Sequence, residues 1–305
     1  MTQDRTLLGI LCMICFAIIA PVMDAFAKAT PDYIPVMQIL GFRFGIQFLL
    51  LVPLIVAMRL WQRPTWQECV LHLIRAALIV VATGLFFAAL RFMPIANAIA
   101  IFFVEPFILT LLGGLILREE VGPRRIIACV IGFAGAILVI RPSFQELGIV
   151  ALFPLGTALC FAFYMIMTRQ MARRLHPFAL QGYTAFAACL IILPLLMAFN
   201  GTGSDLLDPA MPQGIAVWLL LGVGVFSTIS HLFISFALRF APAATVAPLQ
   251  YLEIVSATVL GYFVFSDFPD GLTWVGIAII VGSGLYVFMR ERALDKRSTP
   301  PTPAP

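Results

Sequence analysis

Turn residues divide the chain into ten apolar segments, each about as long as a helix must be to cross a lipid bilayer. A bilayer core of about 30 Å requires about 20 helical residues. Of the 305 residues, 62% are apolar and 11% are charged, so a water-soluble fold could not bury this surface. The sequence therefore predicts an all-α integral membrane protein with ten transmembrane helices, at approximately 7–27, 34–58, 71–91, 94–117, 123–141, 147–168, 178–198, 214–237, 243–265 and 272–290.

Charges and cysteines argue against several classes of function. The net charge of +4 comes from basic residues at segment ends, so it does not indicate a nucleic-acid partner. The six cysteines lie within or beside apolar segments with no His or Asp cluster nearby, which predicts no metal site. No P-loop, H-E-x-x-H or G-x-S-x-G motif occurs, so we expect no ATPase, no catalytic residue and no cofactor.

Basic residues are distributed unevenly between the two sides of the predicted membrane. Short cytoplasmic loops of membrane proteins carry an excess of Lys and Arg. With a cytoplasmic N-terminus, fifteen of the nineteen basic residues lie on the cytoplasmic side. We therefore expect both termini in the cytoplasm, with a disordered tail at 291–305. The fifteen are Arg5, Arg59, Arg63, Arg75, Arg118, Arg124, Arg125, Arg169, Arg173, Arg174, Arg239, Arg290, Arg292, Lys296 and Arg297.

An internal repeat relates the two halves of the chain. Residues 89–113 align without a gap with residues 237–261, and ten of these twenty-five positions are identical. Apolar composition alone would not align an Arg, a Pro and an intramembrane Glu together. These three matches are Arg91 with Arg239, Pro94 with Pro242, and Glu105 with Glu253.

The odd number of helices in each half determines how the repeats are related. The halves 8–141 and 152–290 each hold five predicted helices, so the second half enters the membrane from the opposite side. The sequence therefore predicts two inverted five-helix repeats. This architecture is typical of secondary transporters, in which two similar halves exchange inward-open and outward-open shapes.

Residues of the repeat resemble a known family, the ten-helix EamA-type branch of the drug/metabolite transporter superfamily. Three further stretches resemble the bacterial subgroup that contains riboflavin transporters and, more distantly, S-adenosylmethionine transporters. The family resemblance is carried by Ala89-Leu90-Arg91-Phe92-x-Pro94-x-Ala96, Glu105-Pro106, Gly113, Glu119, Gly132-x-x-Gly135 and Arg141-Pro142, and the subgroup resemblance by Ala247-Pro248-Leu249-Gln250-Tyr251-Leu252-Glu253, Phe268-Pro269-Asp270-Gly271 and Met23-Asp24-Ala25.

The resemblance implies a secondary transporter that moves a small organic metabolite across the bacterial inner membrane. Its partners would be this solute and the lipid bilayer, and a homodimer is left open. Riboflavin uptake is the leading specific hypothesis. Transport of S-adenosylmethionine, or of an amino acid or amine, is the alternative within the family. A membrane-embedded lipid-modifying enzyme is the alternative from another class, although the inverted repeat favours transport.

Glu105 and Glu253 are the main candidate site residues, because they fall near the centres of the fourth and ninth predicted spans. A charged side chain at that depth costs about 2.5 to 3.5 kcal/mol on insertion scales. The functional interpretation is a paired site for a polar group or a proton. The structural alternative is a pair of protonated carboxyls that tie helices together.

Two further charged residues are candidates with structural alternatives. Arg43 lies within the second span and is a plausible counter-ion for Glu105. Asp24 stands four residues before Lys28, so a local ion pair would satisfy both, and an entrance charge pair is the functional alternative.

Four polar residues complete the candidate set. Gln250, Tyr251 and Tyr164 could bond or stack a planar heteroaromatic solute, although such residues also join helices. His231, in the eighth span, could relay protons, but a buried His with satisfied hydrogen bonds is the more common case.

The charge distribution predicts the topology. Reporter fusions after Arg63, Arg125, Arg174 and Arg297 should all report a cytoplasmic position, whereas a fusion at Gly203 should report an external one. A cytoplasmic signal at Gly203 would contradict the inverted repeat.

Overall fold

The computed structural model describes residues 6–116, 123–172, 174–204, 206–241 and 247–298. Within these ranges the chain is helical and contains no strand. Two 3₁₀ helices span Gly148–Leu152 and Ala247–Tyr251. The α-helices are α1 (Thr6–Ala29), α2 (Val36–Ala57), α3 (Trp66–Leu90), α4 (Ile95–Phe102), α5 (Glu105–Ile116), α6 (Pro123–Leu147), α7 (Phe153–Ala172), α8 (Pro177–Ala198), α9 (Ile215–Phe240), α10 (Leu252–Phe265) and α11 (Gly271–Ser298).

Apolar helices of membrane-spanning length dominate the fold. Among the described residues, six helical segments are long and apolar enough to cross a bilayer, and four shorter apolar helices accompany them. The prediction of an all-α membrane protein is confirmed for this part of the chain. The six are Leu7–Ala29, Val36–Ala57, Trp66–Leu90, Phe144–Thr168, Pro177–Ala198 and Ile215–Phe240, and the four are Ile95–Leu109, Ile126–Ile140, Leu249–Phe265 and Gly271–Tyr286.

The start of α3 is set by a capping box rather than by the onset of the apolar run. The Thr65 hydroxyl accepts a hydrogen bond from the Glu68 N–H, and a Glu68 carboxylate oxygen lies 2.8 Å from the Thr65 backbone N. This reciprocal bonding satisfies two of the free N–H groups at a helix start. The helix therefore begins at Trp66, five residues before the predicted position, and Arg75 lies about 14 Å along it.

The fourth and ninth predicted spans are not continuous helices. The span predicted at 94–117 is divided into α4 and α5 at Phe103 and Val104. Pro106 explains this break, since it has no N–H to donate to Phe102 and its ring would collide with that carbonyl. In the ninth span, the 3₁₀ helix Ala247–Tyr251 precedes α10, and residues 242–246 lie outside the described ranges.

The C-terminal helix is longer than expected. Residues 291–298, which were predicted to belong to the disordered tail, continue α11 as far as Ser298. The tail sequence contains no Pro or Gly before Pro300, so nothing in it interrupts the helix. Residues 299–305 lie outside the described part of the chain.

The helices of the first half pack mainly on those of the second half. Helices α2 and α8, α6 and α11, and α4 and α10 form pairs across the two halves. Three further sets of contacts between the halves are matched, α1 on α9 with α3 on α7, α2 on α9 with α3 on α8, and α1 on α10 with α5 on α7. Both halves therefore contribute helices to the interior of the bundle.

Loops at one end of the bundle are held together by polar contacts, and we call this the Lys28 end. The Lys28 ammonium lies 2.5 Å from an Asp267 carboxylate oxygen and donates to the Met93 carbonyl at 3.1 Å. At the same end the Gln38 side chain bonds both backbone groups of Ala210. At the opposite end, the Tyr183 hydroxyl donates to the Gln62 carbonyl at 2.6 Å. The ends of α1, α3 and α10 and the starts of α2 and α9 therefore lie together at the Lys28 end.

Two glycines allow α6 and α11 to approach closely. A Cβ atom added to Gly276 would lie 2.5 Å from Val139 Cγ2 and 2.7 Å from the Gly135 carbonyl oxygen. Small residues at such crossings bring helix backbones into contact in a membrane.

Replacement of Gly276 by Leu should separate these two helices and lower stability. Overpacking of this kind costs about 1–3 kcal/mol, which should appear as a lower midpoint of thermal unfolding in detergent. The matched control is Gly282→Leu on the same helix, where an added Cβ would meet nothing within 4 Å. Equal stability of the two variants would show that the close crossing is unimportant.

Candidate functional site

Arg43 on α2 joins three helices inside the bundle. Its side chain is 1% exposed, and its guanidinium donates to the Thr83 hydroxyl of α3 at 2.8 Å. It also lies 2.9 Å from Nε2 of His231 on α9. Because a guanidinium can only donate, Nε2 must be the acceptor, so the neutral ring carries its proton on Nδ1, 3.1 Å from the Ser227 carbonyl. Proton uptake by His231 would therefore break its bond to Arg43.

A second buried guanidinium, that of Arg75 on α3, joins α3 to α7 and α8. Arg75 is 0% exposed and is surrounded by neutral acceptors. Its Nε donates to the Thr168 hydroxyl at 2.9 Å and its Nη2 to the Tyr164 hydroxyl at 2.7 Å. Its Nη1 donates to the Thr184 hydroxyl and to the Leu180 carbonyl. We call these four partners the Arg75 cage.

Gln181 on α8 connects the Arg75 cage to neighbouring helices. Its amide nitrogen donates to the Ser235 hydroxyl of α9 at 2.9 Å and lies 3.5 Å from the Tyr164 hydroxyl. The Gln47 amide of α2 lies 3.2 Å from the Gln181 carbonyl oxygen. The buried polar groups thus form one network across α2, α3, α7, α8 and α9, as expected where no water satisfies them.

Glu105 follows the break at Phe103 and Val104, and Glu253 lies at the start of α10 directly after the 3₁₀ helix Ala247–Tyr251. Glu105 is the first residue of α5 and is 5% exposed, and Glu253 is the second residue of α10 and is 6% exposed. Oε1 of Glu105 has no hydrogen-bond partner among the described residues. A half-helix start within the membrane presents free N–H groups and a positive dipole end, which favour a nearby negative charge.

Asp24 lies inside the bundle rather than at its edge. It is 2% exposed, and no described residue hydrogen-bonds its Oδ1. It is within electrostatic range of both Arg43 and Glu253. The expected local pair between Asp24 and Lys28 is wrong, because Lys28 is bonded to Asp267 instead. One helical turn separates the two residues in sequence, but tertiary packing directs them into different environments.

The expected ion pair between Arg43 and Glu105 is also not formed. Arg43 is bonded to Thr83 and His231, whereas Glu105 lies within electrostatic range of Tyr251. The break in the fourth span places Glu105 beside the 3₁₀ helix of the second half.

Five aromatic rings form a row between the carboxyl groups and the Arg75 cage. Consecutive ring centroids are 5.1, 5.8, 5.4 and 5.4 Å apart, within the range of favourable aromatic pairs. The row contains two residues predicted from the sequence, Tyr251 at one end and Tyr164 at the other. In order its members are Tyr251, Phe103, Phe102, Phe161 and Tyr164.

Tyr251, the first ring of the row, packs closely against α11 because Gly284 has no side chain. The Tyr251 hydroxyl occupies the space that a side chain at Gly284 would need. The neighbouring Gln250 is partly buried, and no hydrogen bond of its side chain is seen among the described residues.

Arg75 is the main interior residue that the sequence analysis did not identify, since it was counted with the cytoplasmic basic residues. The structure buries it inside α3. The Thr65-Trp66-Gln67-Glu68 sequence carries the signal that would have identified it, because a capping box places the helix start at Trp66.

Comparison with known proteins is consistent with this architecture. The model of the EamA-like transporter family matches the chain twice, at residues 7–141 and 148–289. A crystal structure aligns with 96% of this chain and 99% of its own at a TM-score of 0.67 and 17% identity, a likeness of fold alone.

Three curated relatives illustrate the range of solutes that similar chains are named for. The riboflavin transporter of Vibrio cholerae is 30% identical, with 84% of this chain and 83% of its own length covered. The S-adenosylmethionine uptake transporter of Rickettsia prowazekii is 23% identical, with 94% and 95% covered. The pseudopaline exporter of Pseudomonas aeruginosa is 27% identical, with 92% and 96% covered. The predicted resemblance is confirmed: the chain belongs to the EamA-like transporter family.

Proposed function

We propose that the protein is a secondary transporter that takes up riboflavin across the bacterial inner membrane, with both termini in the cytoplasm. The observation that carries this proposal is the aromatic row, which lies between the two halves and has ionisable groups at both ends. A flat ring system can stack on one ring of such a row and contact its neighbours edge-on, while its polar substituents bond to the groups at the ends. The family and its named relatives favour transport over enzymatic lipid modification.

The proposed mechanism is alternating access by two inverted repeats. The family model matches the chain twice, and the matched sets of helix contacts interchange when each helix of one half is replaced by its counterpart in the other. Broken helices near the middle of the membrane are the usual location of solute sites in such transporters. Here the breaks before Glu105 and Glu253 border the aromatic row. Rocking of one half against the other would expose this row first to one side and then to the other.

Riboflavin matches the chemistry of the row and of its two ends. Its planar ring presents a large π surface, its ring carbonyls accept hydrogen bonds, and its polyol chain donates them. The buried carboxyls of Asp24, Glu105 and Glu253 are acceptors, and Arg43 and Arg75 are donors. The relative from Vibrio cholerae adds support, because it is named for riboflavin and is 30% identical.

S-adenosylmethionine is the second candidate, for a specific reason. Asp24, Glu105 and Glu253 are buried, and the ion pair seen among the described residues, Lys28 with Asp267, involves none of them. A sulfonium or ammonium group of the solute would supply the positive charge that pairs with these carboxyl groups when they are ionised. The relative from Rickettsia prowazekii is named for that solute.

Riboflavin uptake is tested by complementation. Riboflavin-auxotrophic cells that lack their own uptake system should grow on low external riboflavin when they express this chain, and not with an empty vector. Growth should be saturable by external riboflavin. A failure to grow despite verified membrane insertion would remove riboflavin as the substrate and would leave S-adenosylmethionine as the next solute to assay.

The carboxyls are tested by Glu105→Gln and Glu253→Gln, which keep the side-chain shape but remove the ability to ionise. We expect both variants to fold, with initial uptake rates lowered at least about tenfold, which corresponds to about 1.4 kcal/mol. Glu253→Gln should be the more severe, because Gln250 and Tyr251 flank Glu253 with polar atoms. The matched control is Glu146→Gln at the exposed end of α6.

Uptake rates must be compared with thermal stability in detergent. If Gln variants transport normally while Leu variants are unstable, the glutamates are protonated ties between helices and not parts of the site.

A further inference from the structure

The charge of Arg75 has no counter-ion among the described residues. The ion pair seen in this part of the chain joins Lys28 to Asp267, and the ionisable groups within electrostatic range of Arg75 are Tyr164, His72 and His231, none of which is a carboxyl. Arg43 differs, because Asp24 lies within its electrostatic range. A buried ion without a partner of opposite charge is strongly unfavourable, and an ionisable residue within a membrane usually marks a substrate pathway.

The Arg75 cage orients the guanidinium without neutralising it. The Thr168 hydroxyl donates to the Tyr164 carbonyl at 2.7 Å, and the Thr184 hydroxyl donates to the Leu180 carbonyl at 2.8 Å. Because these hydroxyl hydrogens are directed at their own helices, their lone pairs are left to accept from Arg75. The cage is thus held ready for a fixed guanidinium, as a preorganised recognition site requires.

Two hydrogen-bond donors remain at the Tyr164 side of the cage. A guanidinium has five N–H groups, and Arg75 uses four of them in the contacts described above. The Tyr164 hydroxyl accepts from Arg75 and from Gln181, and no described residue accepts its hydrogen. A solute group that approaches Tyr164 therefore meets two unused donors and a positive charge.

The aromatic row links these donors to the carboxyl groups, so the site has two chemically different ends. Phe161 lies next to Tyr164, and Tyr251 at the other end is within electrostatic range of Glu105. The Phe102 and Phe161 rings lie at 73° to each other, so a flat ring stacked on Phe161 would meet Phe102 edge-on and would lie beside Tyr164. The acceptor atoms of a solute belong at this end, and its hydroxyl groups belong near the carboxyls.

We propose that Arg75 and Tyr164 are specificity-determining residues that bind the carbonyl edge of a planar ring, with the polyol chain of the same solute directed toward Glu105 and Glu253. This assignment rests on the proposed riboflavin function and gives the solute one orientation in the site. A guanidinium without a counter-ion suits a carbonyl oxygen that carries partial negative charge, and the remaining N–H of Arg75 and the Tyr164 hydroxyl supply one donor each to that edge.

The assignment is tested by the binding of two flavins to the purified full chain, measured by fluorescence quenching. Riboflavin carries the isoalloxazine ring and the polyol, whereas lumiflavin carries the same ring with a methyl group in place of the polyol. Arg75→Gln should weaken both ligands at least about tenfold, as expected for the loss of a charged hydrogen bond. Glu253→Gln should weaken riboflavin more than lumiflavin. The matched control is Arg91→Gln, which removes a guanidinium that bonds loop carbonyls at the Lys28 end and should leave both affinities near the wild-type values.

A vibrational measurement separates recognition from a structural role. Hydrogen bonds weaken a carbonyl bond, so the carbonyl stretching frequency of bound flavin should rise in Arg75→Gln and shift in the same direction in Tyr164→Phe. The second variant removes one hydroxyl only and serves if Arg75→Gln does not fold. Carbonyl frequencies equal to those of the wild type, or wild-type affinities in both variants, overturn this assignment alone. If the wild type binds neither flavin, the proposed riboflavin function is overturned and this assignment with it.

Discussion

The structure depends on one constraint, that lipid offers no hydrogen bonds to the chain. Backbone groups inside a bilayer must bond within helices, and any interruption must be enclosed by protein. The interruptions before Glu105 and Glu253 obey this rule, since α4 packs against α10 and the Tyr251 ring contacts Phe103. The same constraint makes these interruptions useful, because irregular backbone and polar side chains are gathered at one place between the two halves.

Hydrogen bonds between buried polar side chains join many of the helices. Apolar faces do not distinguish a neighbouring helix from lipid, so packing and hydrogen bonds determine which helices associate. Arg43 and Arg75 each bond to two other helices, and Gln181 connects both sets of partners. The residues that hold the bundle together are therefore the same residues that border the candidate site. A solute that bonds to them would act on the packing of both halves at once.

Several features could be read from sequence because they depend on local composition or on the repeat. Apolar length and turn residues predicted the helices, and the family was recognisable from residues such as Arg91, Pro94 and Glu105. Burial of Glu105 and Glu253 followed from their position within apolar runs, and the structure places both inside the bundle. The depth of Arg75 was also accessible in principle, through the capping box at Thr65.

What the sequence by itself determined is the membrane environment, the helical class and the family, because each depends on the order of apolar, basic and turn residues along the chain. Only the tertiary structure decided which polar groups meet. Asp24 and Lys28 are one turn apart in α1. Lys28 nevertheless bonds to Asp267, which follows α10, and Asp24 lies within electrostatic range of Arg43 and Glu253. Local spacing favours pairs along one helix, but in a bundle the neighbours of a buried polar group are set by the helices that pack against it.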